Sequence, residues 1–164
     1  MTPHRLPPGP GQESVWDYPR PPRLEAEPAA IRIVFAGQEI ARTGAAFRVL
    51  ETSHPPVYYL PPECFAPGTL VPAEGQSFCE WKGTARYFDI VAGVRRATKV
   101  AWAYPDPVAA FAALRNHVAV YPGPMDGCFV GGEKARPQPG SFYGGWITDK
   151  IVGPFKGEPG TMGW

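Results

Sequence analysis

Within ten residues, Leu50-Glu51-Thr52-Ser53-His54-Pro55-Pro56-Val57-Tyr58-Tyr59 sets a carboxylate and an imidazole three positions apart, with two prolines fixing the backbone after the histidine. If Phe47 and Val49 face a core, the two-residue period of a strand sends Glu51 the same way. An unpaired carboxyl there would titrate high, which suits general acid–base work, and His54 titrates near neutrality. The same residues suit a structural role, Glu51 accepting backbone N–H groups in a turn and His54 closing a loop. Cys79-Glu80-Trp81-Lys82-Gly83 is the second cluster. A cysteine with a lysine three residues on can act as an activated nucleophile. A free cysteine is more often a small buried hydrophobe, and Glu80 can pair with Lys82.

A third group, Asp126, Cys128 and Glu133, surrounds the turn-rich Pro122-Gly123-Pro124-Met125-Asp126-Gly127, where Asp before Gly is a turn signature in its own right. Trp102 and Tyr104 can line an aromatic pocket or pack in a core. The expected catalytic set is therefore Glu51, His54, Cys79 and Lys82. The expected ligand-binding set is Tyr59, Trp102, Asp126, Glu133, Tyr143 and Trp146, the last two acting as a lid over a pocket between sheets. Lys156 stands in a glycine loop, Gly153-Pro154-Phe155-Lys156-Gly157, without the Gly-Lys-Ser/Thr order of a phosphate loop. No Gly-x-Ser-x-Gly, His-Glu-x-x-His or dinucleotide glycine fingerprint occurs. The three cysteines lack a Cys-x-x-Cys pair and one of the three histidines lies in the N-terminal segment, so no metal and no cofactor is expected.

The elements that must position these residues are short strands. Gly and Pro, 19 and 22 of 164 residues, make up a quarter of the chain and exclude a helical bundle, while nine Phe, seven Tyr and five Trp supply apolar surface to bury. Strands are expected over 31–35, 38–42, 47–51, 57–60, 84–91 and 118–121, with a hairpin of 128–130 and 134–136 around Gly131-Gly132. One short helix is expected after Asp106 as cap and Pro107 at its first position, with Val108, Phe111, Ala112 and Arg115 on one face. Residues 1–30, with eight prolines, read as an extended arm docked through Trp16-Asp17-Tyr18. Residues 31–164 read as a single β-rich domain whose last stretch, 137–164, is an irregular wrap rich in aromatics and glycine.

Sixteen basic and fifteen acidic residues nearly cancel, and no basic patch suggests nucleic acid. No apolar run approaches 18 residues and no signal-peptide pattern opens the chain, so neither a membrane nor export is expected and the cytoplasm is the default, with cysteines reduced.

The motifs from Glu51 to Tyr59 and from Cys79 to Gly83, Ala101-Trp102-Ala103-Tyr104-Pro105, and the ending Phe142-Tyr143-Gly144-Gly145-Trp146-Ile147-Thr148 with Gly153 to Gly157 resemble, in this order, the domain-of-unknown-function 427 (DUF427) family. The resemblance runs from about Trp16 onward. It implies a fold similar to the β-tent of Mss4-like and methionine sulfoxide reductase B-like domains, two splayed antiparallel sheets. The nucleotidyltransferase label sometimes attached to the family implies a Gly-Ser helix start and an Asp-x-Asp metal pair, and this sequence has neither. The paired zinc cysteines of many β-tent proteins are missing too. Two functions fit these residues: a small-molecule-binding domain, open to being an enzyme, with Glu51, His54, Tyr59, Lys82 and Trp102 around the ligand; or a non-catalytic interaction module using the aromatic tail and Pro-rich arm.

Overall fold

The computed structural model describes residues 4–140 and 142–164. The chain is mainly β. It begins with β1 (Glu13–Ser14), β2 (Arg23–Glu27), β3 (Ile31–Phe35), β4 (Gln38–Thr43), β5 (Ala46–Leu50) and β6 (Val57–Tyr59). Two long strands and their partner follow, β7 (Leu70–Cys79), β8 (Gly83–Ala92) and β9 (Arg95–Ala103), then β10 (Val118–Val120), β11 (Gly127–Val130) and β12 (Glu133–Lys134). Three two-residue strands close the chain: β13 (Arg136–Pro137), β14 (Trp146–Ile147) and β15 (Ile151–Val152).

Two four-stranded antiparallel sheets, β10-β9-β8-β7 and β12-β11-β3-β4, carry the architecture, with a three-stranded sheet β2-β5-β6 beside them. Reciprocal backbone bonds between Leu60 and Val118, at 2.9 and 2.8 Å, join β6 to β10 edge to edge. The turns obey their residues: Gly131 and Gly132, with φ of +57° and +89°, make the β11–β12 hairpin that the paired glycines predict.

Alternation along the joined strands sorts side chains onto two faces. Tyr58, Leu60, Ala101, Ala103, Val118 and Val120 point into the main core against Ile31, Ile33 and Phe35 of β3. Tyr59, Trp102, Tyr104 and Ala119 point the other way, into a second cluster with Val49, Ala85 and Leu114. A third cluster of Val15, Tyr18, Leu50, Ile147 and Ile151 ties the N-terminal segment to the tail.

Two expectations need adjusting. Residues within 1–30 are woven into sheets: β2 pairs along its whole length with β5, and β1 pairs in parallel with β15. The docking around Trp16-Asp17-Tyr18 is present, with Val15 and Tyr18 buried and the Trp16 indole donating to the Pro154 carbonyl at 2.9 Å. The helical segment is 3-10, Ala109–Leu114, kinked at Phe111, and Asp106 does not cap it; that exposed carboxylate lies 3.5 Å from Arg115. The physical reason is tethering. Val108 N–H donates to the Lys82 carbonyl and Asn116 N–H to the Tyr104 carbonyl, so sheet contacts at both ends leave too short a span for regular α-turns.

Candidate functional site

On the face of the joined sheet opposite the main core lies a cleft of about 390 Å³. It therefore sits outside the sheet sandwich rather than between the sheets, because Tyr59 and Trp102 occupy the outward phase of their strands. Register builds its floor. Tyr87 on β8 pairs with Trp102 on β9, which pairs with Ala119 on β10, and the alanine leaves room beside the indole. The Trp102 indole lies 4.7 Å from the Tyr121 ring and its N–H donates to the Tyr59 hydroxyl at 3.4 Å. Burial raises the phenols of Tyr59, Tyr104 and Tyr121 above the ordinary tyrosine range, so all three are protonated at neutral pH.

Lys82 enters from the β7–β8 turn, where its N–H donates to the Cys79 carbonyl at 3.2 Å and Gly83, with φ of +114°, lets the chain reverse. The residue is only 9% exposed. Its Nζ lies 6.0 Å from the centre of the Tyr104 ring, and no carboxylate among the described residues comes within ion-pair distance of it. Burial works against its charge, but Tyr59, Cys79 and Glu51 hold the ammonium above the ordinary lysine range.

The opposite wall is the turn after β5. His54 N–H donates to the Glu51 carbonyl at 3.0 Å, closing the turn, and Ser53 takes φ of +71° within it. His54 Nδ1 lies 2.9 Å from the Thr52 carbonyl. A carbonyl only accepts, so Nδ1 carries the proton and Nε2 keeps its lone pair. Burial drives the imidazole below the ordinary histidine value, with Lys156 and Arg20 acting the same way against Glu51 and the Thr52 carbonyl. His54 is thus neutral at pH 7 and competent to accept a proton or hydrogen bond. The Glu51 carboxylate lies 3.9 Å from both Arg20 Nε and His54 Nδ1, so it is not the unpaired acid that its strand phase suggests.

The tail completes the enclosure. Tyr143 stands edge-on to His54 at 5.2 Å, and Lys156 Nζ lies 5.8 Å from the Tyr143 ring. A Cβ on Gly144 would sit 2.2 Å from the Trp102 ring, so only glycine lets the backbone lie on that indole.

Glu51, His54, Tyr59, Cys79, Lys82, Trp102 and Tyr143 all line this one cleft. Three expected residues stand elsewhere. Trp146 is core rather than lid: it is 1% exposed, packs on Tyr58, and donates its indole N–H to the Val120 carbonyl at 3.0 Å. Asp126 staples the β3–β4 turn, accepting from Gly37 N–H at 2.8 Å with Arg95 3.5 Å away. Glu133 accepts from Asp149 N–H at 2.6 Å, tying a hairpin to the tail. Lys156, Gln138 and Tyr121 line the cleft without having been singled out for it. Lys156 had a signal, the glycine loop around it; Gln138 had none, since its place depends on bonds to Gly145 N–H and the Lys156 carbonyl. Burial pushes the thiols of Cys64 and Cys128 up to about 11 and about 12, which makes both poor nucleophiles.

No group of three or more His, Cys, Asp or Glu side chains among the described residues is placed to hold a metal ion. No helix there is long and apolar enough to cross a membrane.

The fold and cleft define a class: a small, mainly β domain with several antiparallel sheets, no barrel, and an aromatic-floored cleft on one sheet face. The family described as Domain of unknown function (DUF427) matches residues 23–131, and the chain belongs to that family. No curated protein matches it.

Proposed function

We propose that this domain binds a small molecule in the cleft over Trp102. The observation that carries the reading is convergence: a buried lysine and a neutral histidine, the first with no carboxylate partner and the second with no partner on Nε2 among the described residues, line the same aromatic-floored space. Its volume falls at the small end of ligand pockets, which suits a compact metabolite. Glu51 orients the turn, Lys82 offers charge, and His54 Nε2 offers a base, so proton transfer to or from a bound ligand is the chemistry within reach. A second reading, an interaction module, is favoured by two phenylalanines at the cleft rim, Phe78 and Phe142, each 75% exposed. Against it, Trp16 and Trp164 of the arm and tail are engaged with each other at 5.3 Å. Crystals of the full chain soaked with a metabolite library test the choice. Ordered density within reach of His54 and Lys82 is expected; ligands found only around Phe142, with the cleft empty, would favour the interaction module.

A further inference from the structure

We infer that the ligand is a planar aromatic carboxylate whose anionic group pairs with Lys82 while its ring lies along Trp102. The inference rests on the cleft being a small-molecule site and names the ligand class. The charges in the cleft are unequal in their partners. Glu51 has Arg20 and His54 at 3.9 Å, Glu80 lines the cleft as an exposed carboxylate, and Lys156 Nζ already donates to the Trp164 carbonyl at 3.2 Å. Lys82 alone is nine-tenths buried, has three N–H donors, and has no carboxylate within ion-pair reach among the described residues.

The Lys82 ammonium is kept charged by Tyr59, Cys79 and Glu51, yet no carboxylate among the described residues touches it, so a ligand that brings an anion completes a direct pair inside the cleft. A dianionic phosphate would call for more donors than one point charge, and the next cation is engaged; a monoanionic carboxylate matches a single ammonium. The remaining surface selects the body of the ligand. Tyr59, Tyr87, Trp102, Tyr121 and Tyr143 present rings around one small volume, a lining complementary to a flat ring and ill-suited to a flexible polar chain. Opposite Lys82, the free Nε2 of His54 can accept from a ligand hydroxyl or N–H.

Isothermal titration of the full chain with benzoate, 4-hydroxybenzoate and indole-3-carboxylate, each beside its neutral carboxamide, tests this. The acids are expected to bind about 10- to 100-fold more tightly than the amides, the range for a hydrogen bond to a charged group. Lys82→Met should abolish that preference and Lys82→Arg should keep part of it. The wild-type comparison of acid with amide does not depend on either variant folding. Amides binding as well as acids, or a folded Lys82→Met chain that still prefers acids, would overturn the carboxylate while leaving a small-molecule site in place. No acid of the series binding would also overturn it, and the cleft reading would then be decided by the soaked crystals alone.

Discussion

The floor of the cleft is made by sheet register, with Tyr87, Trp102 and Ala119 in one cross-strand row, whereas its polar wall joins Glu51 and His54, on a turn held from outside, to Lys156 of the tail. Val15 accepts from Ser53 N–H at 3.0 Å, and Ser53 in turn accepts from Lys156 N–H at 2.9 Å. Thr52 Oγ1 donates to the Tyr18 carbonyl at 2.6 Å, and Arg20 donates to the Thr52 carbonyl at 3.1 Å. A strand residue is fixed by a ladder of equivalent bonds. The turn residues are fixed by two chain segments distant in sequence, the N-terminal stretch and the tail. The lesson is that the polar wall depends on parts of the molecule that look peripheral.

The largest way to break this contrast is to remove the tail. Truncation after Gly140 deletes Trp146, whose burial against Tyr58 and Val120 alone is worth about 3–5 kcal/mol by the usual cost of replacing a buried Trp with Ala. That approaches the whole stability of a typical domain. The truncated chain is expected to show no cooperative melting transition by circular dichroism. A transition at the temperature of the full chain would mean that floor and wall are independent, with the wrap laid on a domain that folds without it.

A smaller test sharpens the comparison at one residue. Ser53 is fully buried, its hydroxyl has no hydrogen-bond partner among the described residues, and its φ of +71° is unfavourable for any side chain. Left-handed backbone costs about 1–2 kcal/mol and an orphaned hydroxyl about 1–3 kcal/mol. Ser53→Gly relieves both and gives back about 0.5–1 kcal/mol in chain entropy. A net gain of about 1 kcal/mol, or about 2–4 °C in melting temperature, is expected. A lower melting temperature would show that the turn is not strained and that the wall is held as comfortably as the floor.

The same contrast explains what was legible in the sequence. β3 shows apolar alternation because one of its faces is core, whereas β6 is apolar throughout because Tyr58 and Tyr59 face two different clusters. β7 and β9 were missed although they are among the longest strands. β7 contains Pro72 and Gly75 at an irregularity in its register and is largely exposed, and β9 runs from exposed Arg95 and Arg96 into four buried residues, so neither has period two. Floor residues such as Tyr59 and Trp102 could be nominated because aromatic strand residues must face something. Which face they take depends on the Leu60–Val118 junction, which no local pattern encodes. Glu51 and His54 were legible as a pair, but Arg20, which faces Glu51, and Val15 and Lys156, whose backbones hold Ser53 between them, lie far along the chain. Trp146 could be predicted as ordered, not as core, since its site is formed by Val120 and Tyr58.

The smallest effect isolates a single proton in the wall. Burial depresses the pKa of His54 in the folded chain below its ordinary value of 6.5. Above pH 6.5 the imidazole is neutral whether the chain is folded or not, and its contribution to stability is fully present. As pH falls below 6.5 the unfolded chain takes up the proton first, so stability declines until pH passes the folded pKa and then levels off. The slope cannot exceed one proton, about 1.4 kcal/mol per pH unit. Glu13, Glu39 and Asp89 are likewise held down, by Arg48 and Tyr18, by Arg42, and by the Lys99 N–H and Arg96, so their losses begin only as pH falls to their ordinary values of 4.5, 4.5 and 3.8. The interval between pH 6.5 and 4.5 therefore reads His54. Denaturant titrations across it should show stability falling in the wild type and a flatter profile in His54→Asn, whose amide can still donate to the Thr52 carbonyl. Equal slopes in the two proteins would place the histidine in contact with water, and the wall would then lack the neutral base that its burial provides.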